Sequence, residues 1–377
     1  MAEQTIFCRK RWLILCLCLL LLPVYVAAVK KEPSQVPKAS EMERVRIDAA
    51  ETGFLLHPSQ TPFHPWGFNY DHDRDGRLLE DYWEDEWATV AEDFDEMKAL
   101  EANVVRVHLQ LGKFMSSPET TNEAALERLR ELLDLAEETR LYLDLTGLGC
   151  YHEADIPAWY DALPEGRRWA TQARFWAAVA RTCAQSPAVF CYDLMNEPVL
   201  PGEKAESEWL LGELDGKFFV QRIALALEGR SRDAVAKQWI DTLVNAIRSE
   251  DPDHLITVGA IPWVQVFPNA KPVFYAPEVS ANLDFVSIHV YPKTGEVEKA
   301  IHAVSAYAIG KPIVIEEMFP LHCSTEELGQ FIEGTRAQVA GFIGFYWGKR
   351  VEEYAEEADF TSALIRSWLV FFRDFPQ

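Results

Sequence analysis

The sequence predicts a single (β/α)8 (TIM) barrel, in which eight parallel strands are each followed by a helix. Short β-branched or aromatic segments alternate with longer segments of helical periodicity, as parallel βα units do. Residues 45–377 divide into eight units of about 40 residues, within the size range of this barrel. Two apolar segments end in carboxylates, at Glu197 and at Glu316–Glu317. Strands of such a barrel pass into active-site loops at this end.

The eight predicted strands are short and mostly β-branched or aromatic. In chain order they are PWGFNY near Gly67, NVVRVHL, LYLDLTG, VFCYDLM, LITVGA, FVSIHVY, PIVIEE and GFIGFYW.

The connections between these strands are predicted to be helical, with one exception. Leu126, Leu129, Leu133 and Ala136 recur at helical spacing. Ser116, Ser117 and Glu119 offer residues that start such a helix. The fifth connection, 268–277, is short and poorly helical, and the fourth, 199–231, is the longest and is predicted to shape the cleft. The other predicted helices are 83–100, 169–183, 234–247, 297–309, 325–339 and 362–372.

The N-terminus has the pattern of an export signal. The basic segment Arg9–Arg11 precedes the apolar segment Trp12–Val26, and small residues follow it. Residues 1–28 are therefore predicted to be a cleaved signal peptide or a retained signal anchor, because the apolar segment is marginal in length for a bilayer span. Residues 29–44 form a proline-containing linker before the domain at 45–377. We expect a secreted or cell-envelope protein, membrane-bound only if the anchor is retained.

The composition limits the partners of the chain. A formal net charge of −23 repels nucleic acid and polyanionic substrates. We therefore expect a neutral substrate, no nucleic-acid partner and a monomer. The cysteines outside the leader lack zinc-finger spacing, although one disulfide is allowed in an oxidising compartment. They are Cys150, Cys183, Cys191 and Cys323.

The segment Asp71–Gly76 has the start of an EF-hand loop, but it does not predict a calcium site. Its twelfth position is Tyr82, where a bidentate glutamate is required. We expect neither a metal nor a nucleotide cofactor.

The two strand-end carboxylates suit the hydrolysis of a glycosidic bond. Strands four and seven lie across the barrel mouth, so that Glu197 and Glu317 point toward each other. Retaining enzymes hold an acid and a nucleophilic carboxylate about 5 to 5.5 Å apart, and inverting enzymes hold their pair about 6.5 to 9.5 Å apart.

The segments YDLMNEP and KPIVIEEMFP resemble the motifs of glycoside hydrolase family 5, and the resemblance covers residues 63–347. In that family Asn-Glu-Pro ends strand four, which implies that Glu197 is the acid/base. The nucleophile commonly follows a glycine at the end of strand seven, which aligns Glu316 with that glycine and Glu317 with the nucleophile. Because side chains alternate along a strand, the two should face opposite ways. This parity favours Glu317, with Glu316 as the alternative.

The resemblance implies roles for further residues. Asn196 would bind the sugar 2-hydroxyl, and Arg106 would keep the nucleophile ionised. His289 would line the sugar site, and Tyr291 would donate to the nucleophile. Trp347, after the last strand, would form the floor of the reacting-sugar subsite.

The chain also departs from the family pattern. Family members often end strand three with a histidine, but here Thr146 occupies that place. His152, six residues later, and His108 on strand two are candidates for its role. Asn69 after the first strand is a further candidate sugar contact. Other tryptophans are candidates for further sugar platforms, but each is more simply explained as core: Trp83, Trp87, Trp159, Trp209 and Trp263.

The sequence therefore predicts an exported retaining glycosidase that cleaves a neutral β-linked glycan or glycoconjugate with two glutamates. The alternatives are another clan A glycosidase, a transglycosylase, or a catalytically silent carbohydrate-binding barrel.

Overall fold

The computed structural model describes residues 42–70, 73, 76–214, 216–267 and 269–376. The predicted leader, nearly all of the predicted linker and most of the Asp71–Gly76 loop lie outside the described residues. The last linker position, Arg44, already belongs to a strand, Arg44–Ile47.

Eight parallel strands form a closed barrel, as predicted. The fifth strand is interrupted at Val258. Its first part, Leu255–Thr257, pairs with the fourth strand, and its second part, Gly259–Ala260, pairs with the sixth strand, which closes the ring. The strands are β1 Trp66–Tyr70, β2 Val104–Gln110, β3 Tyr142–Gly149, β4 Val189–Asp193, β5 Leu255–Thr257 with its continuation Gly259–Ala260, β6 Val286–His289, β7 Ile313–Glu317 and β8 Gly341–Gly344.

Within the described residues, seven longer helices surround the barrel. The fifth connection has only the short helix Trp263–Val266 and the 3-10 turn Val273–Tyr275, as predicted. The longer helices are α1 Trp87–Ala99, α2 Glu123–Thr139, α3 Glu165–Cys183, α4 Arg232–Glu250, α5 Val297–Ser305, α6 Thr325–Thr335 and α7 Phe360–Asp374. Further short helical segments are Leu79–Tyr82, Leu111–Phe114, Glu153–Asp155, Ala158–Asp161 and Val351–Ala355.

Helix α2 begins later than the predicted start residues. Its N-cap is Asn122, whose side chain accepts a hydrogen bond from the backbone N–H of Ala124 at 3.2 Å. Ser117 instead ends a short strand, Met115–Ser117, that pairs with Thr120–Thr121. The prediction of the start was wrong because this hairpin uses the polar residues before the helix. The apolar face of α2, including Leu129 and Ala136, is buried as its spacing predicts.

A small three-stranded sheet covers the amino-terminal end of the barrel. It consists of Arg44–Ile47, Phe54–His57 and Pro62–Phe63. Phe54 packs edge-on against Phe190 and Phe285, with ring centroids 5.2 and 5.3 Å away. This end is therefore sealed by aromatic packing, which leaves the opposite end for the site.

The long fourth connection carries a second small sheet at the carboxyl end. Leu210–Leu214 and Lys217–Arg222 are antiparallel, and Pro198–Val199 pairs with the latter in parallel. The pairing begins one residue after Glu197, so the insertion is attached directly to the strand-four motif.

The four cysteines outside the leader carry no disulfide in the structure. None of the described helices combines the length and the apolar composition needed to cross a bilayer.

Candidate active site

Glu197 is held at the end of β4 in an uncommon backbone conformation. Its φ is +46°, in the left-handed region that non-glycine residues seldom adopt. Its N–H donates to the carbonyl of Gly259 at 2.9 Å, which ties the turn to β5. Asn196 beside it donates to the carbonyl of Phe219 in the insertion at 2.8 Å. Backbone strain of this kind persists where the surroundings determine it, and it is concentrated at functional sites.

Glu317, the last residue of β7, receives two strong hydrogen bonds. Arg106 Nη1 donates to Oε1 at 2.6 Å, and the Tyr291 hydroxyl donates to Oε2 at 2.6 Å. The Glu317 side chain is thus held in one orientation at the mouth of the barrel, with a donor on each oxygen.

The two carboxylates lie close together. Oxygen atoms of Glu197 and Glu317 and a ring nitrogen of His289 all lie within 4.8 Å of one another. An approach of this kind between single oxygen atoms is compatible with the carboxyl separation of about 5 to 5.5 Å that retaining enzymes use.

His289 connects these two glutamates to a third one. Its Nδ1 lies 3.0 Å from Glu197 Oε1 and 3.5 Å from Glu317 Oε1, and its Nε2 lies 3.4 Å from Glu316 Oε2. Burial alone would lower the pKa of His289, but the charge of Glu317 and hydrogen bonds to Glu197 and Glu316 raise it to about 10. The ring is therefore cationic at neutral pH.

The surroundings of Glu197 raise its pKa above that of a free glutamate. Burial raises its pKa, and the charge of Glu317 adds to the increase, while the hydrogen bond and the charge of His289 oppose it. The pKa of Glu197 is therefore shifted in the direction that a proton donor needs.

Arg106 organises the centre of the barrel. It is fully buried, and besides Glu317 it donates to Asp193 Oδ2 at 2.8 Å, Asn196 Oδ1 at 2.9 Å and Asn69 Oδ1 at 2.8 Å. A buried guanidinium needs such partners because an unpaired buried charge is very costly.

The expectation that Glu316 and Glu317 face opposite ways was wrong. Ile315 pairs with Ile288, and the next paired residues are Glu317 and His289, so that Glu316 is an extra residue in a β-bulge. A bulge interrupts the alternation of side chains. Both carboxylates consequently reach Arg106, at 2.6 Å for Glu317 and 3.7 Å for Glu316. Glu316 is completely buried, whereas Glu317 retains 6% exposure.

The histidine candidates lie at different places. His108 Nδ1 is 2.6 Å from the Tyr151 hydroxyl, and its Nε2 is 3.2 Å from Asn69 Oδ1, so it adjoins the buried network. His152 is half-buried, and its Nε2 lies 3.3 Å from the Gly76 carbonyl. A direct contact of His152 with either glutamate is absent among the described residues, and its role as a sugar contact stays a prediction.

Trp347 is nearly completely buried. It is 1% exposed and packs edge-on against Tyr70 at 5.8 Å. A ring enclosed in this way presents no open face to the cleft, so its role as a subsite floor stays a prediction. Phe345 and Tyr346, after the same strand, are the partly exposed rings there.

Three residues of the network were missed in the sequence. Asp193 accepts from Arg106 and from Thr146 Oγ1, the latter at 2.9 Å. Asp144 lies next to Glu316, and Gly259 leaves the room that Glu316 and His289 need. Asp144 and Thr146 alternate along an otherwise apolar strand, a signal of shared orientation that could have identified Asp144.

In the part of the chain that the structure describes, two groups of buried side chains are close enough to share a metal ion. They are Asp144 with Cys191 and Glu316, and Glu197 with His289 and Glu317. Arg106 and His289 already supply positive charge to both carboxylate groups. The expectation that the protein uses no metal stays a prediction.

A cavity of about 480 Å³ lies next to the strand-four motif. Pro198 and Ala260 line this cavity. They directly follow Glu197 and Gly259, the two residues joined by a backbone hydrogen bond. Trp263 and Phe267 also line it, are 40% and 58% exposed, and stack with ring centroids 6.2 Å apart. Trp263 is therefore a surface residue, and its interpretation as core was wrong.

The family model of cellulase (glycosyl hydrolase family 5) matches residues 58–341. The chain belongs to glycosyl hydrolase family 5. The Asn-Glu-Pro motif, the eight-stranded barrel and the paired glutamates agree with this membership.

Several mannan-degrading enzymes are similar to this family 5 chain. Mannan endo-1,4-beta-mannosidase A of Podospora anserina is 26% identical over 223 residues, which cover 52% of this chain and 52% of the relative. The chain thus spans about half the length of this curated relative.

Solved structures share the fold at low sequence identity. The exo-beta-1,4-mannosidase Op5Man5 from Opitutaceae bacterium strain TAV5 aligns with a TM-score of 0.66 and 17% identity, covering 88% of this chain and 61% of that chain. The beta-mannanase of the blue mussel Mytilus edulis aligns with a TM-score of 0.59 and 16% identity, covering 89% of this chain and 98% of that chain.

Proposed function

We propose that the protein is a retaining glycoside hydrolase that uses Glu317 as nucleophile and Glu197 as acid/base. The observation that carries this proposal is the presence of oxygen atoms of the two carboxylates within 4.8 Å of each other. Inverting enzymes hold their two carboxyl groups about 6.5 to 9.5 Å apart, because a water molecule must fit between the basic carboxylate and the sugar.

In the first step, Glu317 attacks the anomeric carbon while Glu197 transfers its proton to the departing oxygen. The bond between the anomeric carbon and that oxygen breaks, and a glycosyl ester of Glu317 forms. The bonds from Arg106 and Tyr291 hold the attacking carboxylate in one orientation.

In the second step, Glu197 acts as the base. Esterification of Glu317 removes the negative charge that helps to raise the pKa of Glu197, so the carboxylate form becomes more favourable. Glu197 then takes a proton from water as the water attacks the anomeric carbon. The sugar leaves with its original configuration, and Glu317 is restored.

We further propose a β-linked mannoside as the substrate class. The names of similar proteins support this choice, since the relative from Podospora anserina is a mannan endo-1,4-beta-mannosidase and the structure from strain TAV5 is an exo-beta-1,4-mannosidase. The acidic chain, with its net charge of −23, suits a neutral polysaccharide. The N-terminal pattern supports export of the enzyme to the compartment where such polymers occur.

The test is a comparison of the parent enzyme with Glu317→Ala on β-1,4-mannooligosaccharides and aryl β-mannosides. Turnover should fall to background in the variant while circular dichroism and thermal unfolding stay close to those of the parent. Added azide should restore cleavage of an activated aryl glycoside and give the glycosyl azide of inverted configuration, because azide fills the space of the missing carboxylate.

Full activity of Glu317→Ala would contradict the proposed nucleophile. Binding of mannooligosaccharides without hydrolysis at any pH would indicate a silent binding barrel instead. Transfer products formed in concentrated acceptor would indicate a transglycosylase.

A further inference from the structure

Glu316 has no part in the two reaction steps described above, although it lies next to His289 and Arg106, which contact the two glutamates that carry them out. It is the bulge residue of β7 and is completely buried. Its Oε2 faces His289 Nε2 at 3.4 Å and Arg106 Nη2 at 3.7 Å.

A bulge beside an active site typically re-aims a side chain. Val314, two residues earlier, packs in the barrel interior, so alternation points Glu316 inward as well, and the bulge brings Glu317 to the same side. Glu316 thus lies behind the histidine that contacts Glu197.

His289 faces carboxylate oxygens with both ring nitrogens. Nδ1 faces Glu197 and Glu317, and Nε2 faces Glu316. A neutral imidazole has one N–H, so that one nitrogen would turn a lone pair toward a carboxylate oxygen. Only the doubly protonated ring donates on both sides. Without Glu316, a neutral ring protonated at Nδ1 would satisfy Glu197 equally well.

We propose that Glu316 is a positioning residue that keeps His289 protonated on both nitrogens, so that a positive charge always adjoins the acid/base Glu197. The proposal deepens the proposed function, on which the role of Glu197 rests. Glu316 acts through His289 and does not touch the substrate.

The neighbours of Glu316 maintain its negative charge. Although burial opposes ionisation, the charge of Arg106 and hydrogen bonds with His289 and Asp144 lower the pKa of Glu316 to about 2. Burial and the charge of Glu316 raise the pKa of Asp144 well above its usual range. Asp144 is therefore a neutral acid. Among the described residues, Glu316 Oε1 has no other hydrogen-bond partner, and the Asp144 carboxyl group and the Cys191 thiol lie beside it as groups that carry a proton.

The space for this contact depends on Gly259. A Cβ atom at that position would lie 2.6 Å from Glu316 Oε2 and 2.8 Å from His289 Nε2. Real Cβ atoms essentially never approach this closely, so a larger residue at position 259 would push the Glu316 carboxylate or the His289 ring out of place. The chain thus carries both the additional glutamate and the glycine that admits it.

The charges around Glu197 and His289 decide in which direction the pKa of Glu197 changes when Glu316 is lost. The cationic ring, 3.0 Å from Glu197, favours the carboxylate form and lowers its pKa against the effect of burial. Loss of Glu316 would leave the ring neutral, so the pKa of Glu197 would rise. The other charged or titratable groups facing Glu197, His289 or Glu316 are Glu317 on β7, Arg106 on β2, Asp144 on β3, Cys191 and Asp193 on β4, Tyr275 and Tyr291.

Nuclear magnetic resonance of the resting enzyme tests the proposal without a substrate. In full-length protein labelled with ¹⁵N-histidine, both ring nitrogens of His289 should remain protonated at pH 8, with the signals assigned by their loss in His289→Gln. In Glu316→Gln, which is isosteric and uncharged, one nitrogen should lose its proton by that pH. The ¹³C carboxyl titration of Glu197 should move upward by about one pH unit or more.

A matched variant separates charge from packing. Asp144→Asn can still donate to Glu316 and has the same size, so His289 should keep both protons there. The basic limb of kcat/KM against pH, measured on a mannooligosaccharide, should move upward in Glu316→Gln.

A singly protonated His289 in the parent enzyme at pH 7 would overturn the proposal, even if no variant folds. A doubly protonated His289 in folded Glu316→Gln would overturn it as well. If the enzyme fails to cleave any glycoside while the resonances behave as expected, the proposed function fails and the link between Glu316 and His289 stands.

Discussion

Tyr291 donates its phenolic hydrogen to Glu317 Oε2 across 2.6 Å, on the side of the carboxylate opposite the bond from Arg106. Burial and the charge of Glu317 raise the pKa of Tyr291 well above its usual range, so the hydroxyl stays a donor at any working pH. Both oxygens of Glu317 are thereby held, one by Arg106 on β2 and the other by Tyr291 in the segment after β6.

Tyr291→Phe should lower kcat/KM on a mannooligosaccharide by roughly 10- to 100-fold. A hydrogen bond to a charged group contributes about 1.5 to 3 kcal/mol, and its loss frees one oxygen of the nucleophile to rotate. Steady-state kinetics measure the effect. Tyr160→Phe is the control, because that hydroxyl bonds Gln172 in the helical layer at 2.8 Å. Equal losses in both variants would show that the effect is general destabilisation.

Glu197→Gln should slow cleavage according to the quality of the leaving group. Proton transfer by a positioned acid contributes about 10²- to 10⁴-fold, and poor leaving groups need it most. Hydrolysis of mannooligosaccharides should therefore fall by that range, while formation of the glycosyl-enzyme from a dinitrophenyl glycoside should change little. A burst of dinitrophenol measures the second quantity. Equal slowing of both substrates would be inconsistent with an acid role.

Much of the site could be predicted because the relevant signals are local. Asn196 and Glu197 end one apolar strand, Glu317 ends another, and Arg106 is a lone charge within a third. A barrel brings strand ends together by its geometry alone, so these residues meet wherever the strands close. The contacts of Arg106 with Glu317 and Asn196 follow from that rule.

The remaining features depend on contacts between segments that are distant in sequence. The bulge at Glu316 exists because β6 and β7 change register between Ile288 and His289, and neither strand encodes this change by itself. Trp347 is buried because of how the chain turns after β8, which no strand pattern specifies. Trp263 is exposed because the fifth connection lacks a longer helix to cover it.

Gly259→Ala should destabilise the protein by roughly 1 to 3 kcal/mol, since the new methyl group would overpack the buried carboxylates. Its Cβ would also lie 3.0 Å from Asp193 Oδ2. Urea unfolding measures the loss as a lower free energy of unfolding, with an m-value equal to that of the parent. Gly166→Ala in the first turn of α3 is the control, because a Cβ there meets no atom within 4 Å. That substitution should be neutral or slightly stabilising. Equal stability of the two variants would contradict the tight packing around Gly259.

Trp263→Ala should weaken the binding of longer oligosaccharides. The ring is 40% exposed, stacks on Phe267 and lines the cavity that Pro198 and Ala260 connect to the strand-four motif. Sugar units on the leaving-group side of Glu197 would extend in this direction, and an aromatic contact contributes about 0.5 to 1.5 kcal/mol beyond its buried area.

KM for mannopentaose should therefore rise roughly 3- to 10-fold in Trp263→Ala, while kcat and the cleavage of a short aryl mannoside stay near the parent values. Trp263→Phe should recover part of the loss, because a smaller aromatic face remains. Steady-state kinetics on substrates of increasing length measure the pattern. The same change in KM for short and long substrates would place the effect at the catalytic centre and remove the cavity from the substrate path.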